Sequence, residues 1–242
     1  MGAQWKQKWR ELAADQKGRV TGKLVREIQV AARLGGASID LNARLAAAVV
    51  NAKKASVTKD TIERAIAKGS GTGTDSVIYD TVLFEGFAPH QVPVMVECLT
   101  ENNNRTSSDV RVIFRDAAAT LGGKGSVAWM FDHCGMVEAH HATPGQDIET
   151  AALEAEADDV EPAEADSEEA TGTFARFFCQ PASLDAVTKA IKAQGWVVTT
   201  SELSYRAKTY PDLSEEQRSE VTDFLQDLDA HDDVHRVHAA LK

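Results

Sequence analysis

The chain of 242 residues is 43% hydrophobic and 26% charged, which is typical of a globular protein with room for one to three domains. No apolar run approaches the roughly 18 residues that cross a membrane, and no apolar core follows the N-terminal charges, so a transmembrane protein and a secretory precursor are disfavoured. Three dispersed cysteines, Cys98, Cys134 and Cys179, disfavour a disulfide framework, and we expect a cytoplasmic protein.

The net charge of -11 is distributed unevenly along the chain. Residues 1–68 contain 14 Lys and Arg against 6 Asp and Glu, a net charge of +8, whereas the remainder contains 12 against 31, a net charge of -19. This asymmetry indicates a polyanion-binding end joined to an acidic body.

Helical periodicity extends over residues 5–68. We predict one helix over Thr21–Leu34, with an apolar face and an opposite basic face, and a second over Asn42–Lys54. A third begins after an N-cap at Thr58 and stops at Gly69. Three or four such helices form a small bundle.

A glycine-rich linker, Ser70–Ser76, precedes a mixed segment. The pattern predicts strands at Val77–Phe84 and Gln91–Leu99 around a turn at Gly86–Pro89. A helix follows, which is capped by Asn102–Asn104, has an apolar stripe that runs to Leu121, and ends at Gly122-Gly123. A further strand is predicted at Ser126–Phe131.

The following segment predicts a βαββαβ unit, the ferredoxin-like order. Its elements are strand Met136–His140, helix Ile148–Ala157, strands near Val160 and at Thr173–Cys179, helix Leu184–Gln194 and strand Val197–Tyr205. An amphipathic helix over Ser214–Asp229 follows, and Asp233–Leu241 is either a strand or a helix. The ten carboxylates of Glu149–Glu169 indicate a solvated helix face and an exposed hairpin tip.

Four stretches carry a resemblance to a known family: KLVREIQVAARLGG (Lys23–Gly36), TKDTIERAIAKGSG (Thr58–Gly71), FEGFAP (Phe84–Pro89) and VECLTENNNRTSSDVRVIFRDAAATLGGKGSVAWMFD (Val96–Asp132). They resemble the YebC family of probable transcriptional regulatory proteins, whose mitochondrial members are translational activators of cytochrome c oxidase. The likeness runs in order over nearly the whole chain. The chain departs from the family at its shortened N-terminus, where Trp5-Lys6 remain of a Gly-His-Ser-Lys-Trp stretch, and at Ala88–Gln91, where relatives have Gly-Pro-Gly-Gly.

The resemblance implies an α+β fold of three domains. These would be a basic N-terminal helical bundle at 1–72, a central α/β domain formed by 77–133 plus 206–242, and an inserted acidic ferredoxin-like domain at 134–205. It also implies a link to DNA or to the translating ribosome.

The candidate nucleic-acid-binding residues are mostly cations of the helical segment, which could neutralise backbone phosphates. They are Lys6, Lys8, Arg10, Lys17, Arg19, Lys23, Arg26, Arg33, Lys53, Lys54 and Arg105. The alternative for the stripe from Arg19 to Arg33 is an ordinary solvated helix face. For Arg105, beside a helix N-terminus, the favoured alternative is that the asparagines cap the helix and Arg105 pairs with a local carboxylate such as Asp109.

Catalysis and metal binding have little support in the sequence. His231, His235 and His238 have a zinc-like helical spacing, but ordinary surface histidines are the favoured interpretation. His133 and Cys134 would point apart on a strand, and Gly69–Gly73 lacks the Lys-Ser/Thr end of a P-loop. We expect no catalytic residue, cofactor, metal or small-molecule substrate.

The sequence therefore predicts a non-enzymatic regulator of gene expression, a DNA-binding transcriptional regulator that docks through its basic helical domain. The alternatives are a ribosome-associated translation factor that binds RNA and a pure protein-interaction module. Because no recognition helix for base readout is identifiable, we expect weak, salt-sensitive binding. The oligomeric state is left open.

Overall fold

A computed structural model describes residues 4–72, 78–163 and 171–241, with side chains described from residue 17 onward except at residue 43. In chain order the helices are α1 (Gln4–Gly35), α2 (Ala43–Lys54), α3 (Lys59–Gly69), α4 (Asn103–Asp116), α5 (Ile148–Glu154), α6 (Leu184–Ala193) and α7 (Glu215–Asp229). The strands are β1 (Asp80–Ala88), β2 (Val92–Thr100), β3 (Thr120–Leu121), β4 (Phe131–His141), β5 (Asp159–Pro162), β6 (Thr173–Cys179), β7 (Val197–Ala207) and β8 (Val234–Ala239).

The chain forms two compact units, one comprising Met1–Met130 with Ala207–Lys242 and the other Phe131–Arg206. The mixed α+β class predicted from the sequence is confirmed, with one four-stranded sheet in each unit. The helices before residue 72 and the first sheet lie in the same unit, so the predicted division into three domains stays a prediction. Parts of the predicted linker and of the acidic tip, residues 73–77 and 164–170, lie outside the described residues.

Helices α2 and α3 form where the apolar periodicity and the caps predict them, whereas α1 begins at Gln4, well before the predicted start at Thr21. The side chain of Asn42 accepts the backbone N–H of Leu45, and that of Thr58 accepts the N–H of Thr61, so each oxygen satisfies a donor at a helix start. The three helices share one apolar core, which includes Ile28, Ala31, Leu45, Val49, Ala52, Val57 and Ile62. The amphipathic pattern therefore encodes the bundle correctly.

Helices α1 and α3 pack closely at Gly69. A Cβ atom added at this glycine would lie 2.3 Å from the backbone oxygen of Gln29 in α1, which is far inside van der Waals contact. Gly69 is therefore needed for the contact between the two helices.

Substitution Gly69→Ala should lower the free energy of unfolding by about 1–3 kcal/mol, because the backbones of α1 and α3 must separate to admit the methyl group. The matched control is Gly22→Ala in α1, whose added Cβ meets no atom within 4 Å. The control should stabilise the helix by up to about 1 kcal/mol. Urea denaturation midpoints measure both effects, and equal midpoints for the two variants would contradict the close contact.

The sheet of the first unit is antiparallel and has the order β3-β1-β2-β8. Helices α4 and α7 meet through an edge-to-face contact of Phe114 and Phe224, whose ring centroids are 5.0 Å apart. Every residue of β2 except Glu97 is buried, so both faces of this strand are covered. The C-terminal segment left open from the sequence is a strand, β8.

Three local predictions in this unit are wrong. Helix α4 ends at Asp116 rather than at Gly122, because Ala118 adopts a left-handed backbone with φ of 54°. The chain reverses at Pro89–Gln91 instead of Gly86–Pro89. The predicted strand at Ser126–Phe131 is a loop with one 3-10 turn as far as Met130, and Phe131 already belongs to β4. The amides of Val127 and Ala128 bind the Glu85 carboxylate instead of a neighbouring strand.

The second unit contains the predicted βαββαβ succession, and its sheet order, β5-β6-β4-β7, is that of ferredoxin-like folds. Inward-facing residues alternate along β4 and β6, and they pack with residues of α5 and α6 around Val137, Phe177, Val187, Ile191 and Trp196. The period-2 pattern of these strands accounts for the agreement with the sequence.

Candidate nucleic-acid interface

Some cations of the basic stripe of α1 are exposed to solvent, and others contact the C-terminal segment. Lys17 and Arg19 are exposed. Lys23, whose side chain is 16% exposed, places its Nζ 2.8 Å from Oδ1 of Asp229 and also donates to that residue's backbone oxygen. The expectation that the whole stripe faces solvent is therefore wrong at Lys23.

Arg26 is held in the same way, one turn further along α1. Its side chain is 18% exposed, lies 3.5 Å from a carboxylate oxygen of Asp233 and donates to the backbone oxygen of Asp232. Its guanidinium also stacks 5.1 Å from the ring centroid of Tyr79. The prediction of a solvent-facing side chain is wrong for Arg26 too, because the turn after α7 covers this part of the helix.

Asp233 is the buried acceptor at the centre of this contact. Its Oδ2 accepts from Thr106 Oγ1 at 2.7 Å and from Arg105 at 2.8 Å. Burial raises the pKa of Asp233, but the bonds from Arg105 and Thr106 outweigh it, so the pKa lies below its usual range. The Asn102 cap of α4 is confirmed. Arg105 does pair with a local carboxylate, but that residue is Glu101 at 3.9 Å rather than Asp109, and its shorter contact is with Asp233.

A second buried carboxylate, Glu27 of α1, joins α2 and β8. Arg44 Nε lies 2.8 Å from Glu27 Oε1, and His235 Nε2 lies 3.0 Å from Glu27 Oε2. A bulge in the β2–β8 pairing, opposite Glu97 and Cys98, leaves His235 without a register partner. Burial alone would raise the pKa of Glu27, but His235 and Arg44 lower it by more. The pKa therefore lies below its usual range, and this carboxylate stays ionised.

The three C-terminal histidines lie apart and face different carboxylates. His231 lies 3.3 Å from Asp109, His235 faces Glu27, and His238 lies 3.9 Å from Glu97. The interpretation as ordinary surface residues is wrong for His238, which is buried, because it lies in β8, the edge strand that pairs with β2 in the first sheet. Among the residues that the structure describes, no three His, Cys, Asp or Glu side chains are grouped to hold a metal ion.

The remaining candidates for catalysis are the three cysteines, which are buried, and His133. Burial raises the pKa of Cys98 to about 12 and that of Cys179 to about 11. Burial also raises the pKa of Cys134, whose thiol donates to the backbone oxygen of Ser204. The neighbouring His133 ring lies against Tyr205. These thiols are protonated at neutral pH, which disfavours a thiolate nucleophile.

The other predicted cations differ in their surroundings. Arg33, Lys53 and Lys54 are exposed, and Arg33 makes a long 3.5 Å contact to the backbone oxygen of Tyr79. Lys6, Lys8 and Arg10 belong to α1, but their side chains lie outside the described part of the structure.

A polar cleft of about 530 Å³ lies beside Arg19 in the first unit. Arg26 and Arg105 line it together with Glu101, Asp109, Asp232 and Asp233. Carboxylates therefore accompany the arginines in this cleft, whereas the exposed Lys17, Lys53 and Lys54 do not line it. The charges in Asp227–Asp233 are visible in the sequence, but their pairing with residues some 200 positions earlier is not.

Replacing Asp233 by Asn should lower the free energy of unfolding at pH 7 by about 3 kcal/mol, since two arginines and Thr106 lose an ionised partner. The pKa of Asp233 is depressed in the folded state, so this stabilisation is present above the unfolded value of about 3.9 and is lost as the pH falls further. The difference between wild type and variant should therefore shrink below about pH 4.

The matched control is Asp229→Asn, which removes the partner of Lys23 but leaves a side chain that is 68% exposed. The free energy of unfolding of this variant should differ from that of the wild type by no more than about 1 kcal/mol. Urea denaturation at several pH values measures both variants, and a pH-independent difference for Asp233→Asn would contradict the assignment.

These observations define a mixed α+β protein in which a basic helical segment is joined by buried carboxylates to an antiparallel sheet, and which also contains a ferredoxin-like unit. No described helix is long and apolar enough to cross a membrane. Residues 3–72 match the TACO1/YebC protein N-terminal domain, and residues 79–241 match the TACO1/YebC second and third domain. The chain belongs to the TACO1/YebC family, which confirms the resemblance found in the sequence.

Curated relatives are similar over their full length. A probable transcriptional regulatory protein of Pseudomonas fluorescens is 50% identical over 242 residues, covering 100% of this chain and 99% of its own. One of Bdellovibrio bacteriovorus is 45% identical, with 100% of both chains covered. The crystal structure of a conserved hypothetical protein from Aquifex aeolicus superimposes with a TM-score of 0.84 at 33% identity, covering 94% of this chain and 90% of that one.

Proposed function

We propose that this protein is a non-enzymatic regulator of gene expression that docks on the phosphates of DNA through exposed cations of its first two helices. The observation that carries the proposal is that Lys17 and Arg19 of α1 and Lys53 and Lys54 of α2 are exposed, in a segment of net charge +8. Relatives named probable transcriptional regulatory proteins support the regulatory role.

The charge distribution of the second unit supports docking through the helices. Residues 131–206 contain 15 Asp and Glu against 4 Lys and Arg. A polyanion is repelled by such a surface, whereas the helical segment attracts it. The helical segment, rather than the acidic unit, is therefore the favoured docking surface.

The surface of α3 does not support base readout. Its exposed charges pair within the helix, with Lys59 3.6 Å from Glu63 and Arg64 2.6 Å from Asp60. Base readout in the major groove needs side chains that are available to donor and acceptor groups of base edges. Binding by phosphate contacts alone is weakly sequence-dependent and strongly dependent on salt.

The test neutralises the exposed cations in pairs, Lys17→Gln with Arg19→Gln, and Lys53→Gln with Lys54→Gln. Lys23 and Arg26 are left intact, because their loss would break the ion pairs with Asp229 and Asp233. Affinity for promoter-length duplex DNA, measured over a salt series, should fall. The slope of log affinity against log salt should decrease by about 1 for each phosphate that the variant no longer neutralises.

The matched control is Lys189→Gln with Lys192→Gln in α6, which makes the same change of charge in the acidic unit and should leave affinity unchanged. Unaltered binding by both helical variants would overturn the proposal. Ribosome co-sedimentation with tighter binding of structured RNA than of duplex DNA would replace it with the translation-factor alternative. Salt-insensitive association would point to a protein-interaction module.

A further inference from the structure

The loop Gly122–Met130 is held rigidly by a buried carboxylate. Glu85, in β1, accepts the backbone N–H groups of Gly125 at 2.7 Å, Val127 at 3.0 Å and Ala128 at 2.9 Å. Burial alone would raise the pKa of Glu85, but these three hydrogen bonds lower it by more. The pKa therefore lies below its usual range, and the carboxylate stays ionised. An anion used in this way preorganises a loop that contains one 3-10 turn but no strand or α-helix of its own.

The fixed loop presents an exposed indole. Trp129 is 65% exposed, while its Nε1–H donates to the backbone oxygen of Ser126 at 3.2 Å within the same loop. The polar atom of the ring is thus satisfied locally, and its apolar surface is left toward solvent. Trp196, by contrast, is buried in the core of the second unit. A large aromatic side chain held in water on a rigid loop is typical of a recognition surface.

Two lysines lie on or beside the loop that carries the indole. Lys208 donates through Nζ to the backbone oxygen of Trp129 at 3.0 Å and through its backbone N–H to the oxygen of Met130 at 2.9 Å. Lys124 lies at the exposed tip of the loop between Gly123 and Gly125. A Cβ added at either glycine would meet no atom within 4 Å, so a phosphate chain can approach the backbone closely.

We infer that this loop is a platform for single-stranded nucleic acid, on which an unpaired base stacks against Trp129 while Lys124 and Lys208 neutralise the adjoining phosphates. Base–aromatic stacking requires a base that is out of the duplex stack, and the cations select a nucleic acid over an apolar peptide. The inference rests on the proposed nucleic-acid role but uses a different surface from the cations of α1 and α2.

The test compares full-length wild type with Trp129→Ala, using a short oligothymidylate and a duplex of equal length at fixed low salt. Affinity for the oligothymidylate, followed by fluorescence anisotropy of a labelled strand, should fall roughly 5- to 150-fold, while duplex affinity stays unchanged. Trp129→Phe keeps an aromatic face and should recover most of the loss. Lys124→Gln should reduce the salt slope for the single strand by about 0.7.

The matched control is Leu153→Ala, which removes an exposed apolar side chain from α5 and should leave both affinities unchanged. Equal oligothymidylate binding by wild type and Trp129→Ala would overturn the inference. This holds also if Trp129→Ala weakens an association with a protein instead. Equal loss for single strand and duplex would overturn it as well. If the α1 and α2 variants bind duplex normally while Trp129→Ala still loses the single strand, the duplex proposal fails and the platform stands.

Discussion

The arrangement of the first unit depends on burying the Asp233 carboxylate with its partners. An ionised carboxylate leaves water at a prohibitive cost unless donors replace its hydration. Asp233 obtains these donors from α4, through Arg105 and Thr106, and it faces Arg26 of α1. The start of β8 can therefore be buried only when both helices are in place, which ties the basic helices to the first sheet.

The same device recurs at Glu27 and Glu85, with different consequences. Glu27 joins three elements through Arg44 and His235, as Asp233 does. Glu85 instead accepts only backbone amides, and it shapes a loop rather than joining helices. In all three cases the favourable bonds outweigh the desolvation of a buried anion, since each pKa is lowered despite burial. Buried carboxylates thus act here as structural anchors rather than as acid–base groups.

This anchoring changes what the basic segment offers to a polyanion. Cations that stabilise the fold are already neutralised by Asp229 and Asp233, and displacing these carboxylates would weaken the unit. Cations outside this contact, such as Lys17 and Arg19, carry no such cost. A count of charges in the sequence overstates the docking surface, because it assigns the same role to Lys17 and Lys23.

The sequence by itself determined the elements whose signals are local. The period of apolar residues located α2, β6 and α6, and the side-chain oxygens of Asn42, Thr58, Asn102 and Ser214 cap the helices that follow them. Only the tertiary structure decided that α4 ends at Asp116, that Glu85 keeps Ser126–Met130 out of a sheet, and that Lys23 and Arg26 face Asp229 and Asp233. The physical reason is range: a cap or an apolar stripe is complete within one or two helical turns, whereas an ion pair between residues 206 positions apart exists only once the intervening chain has folded.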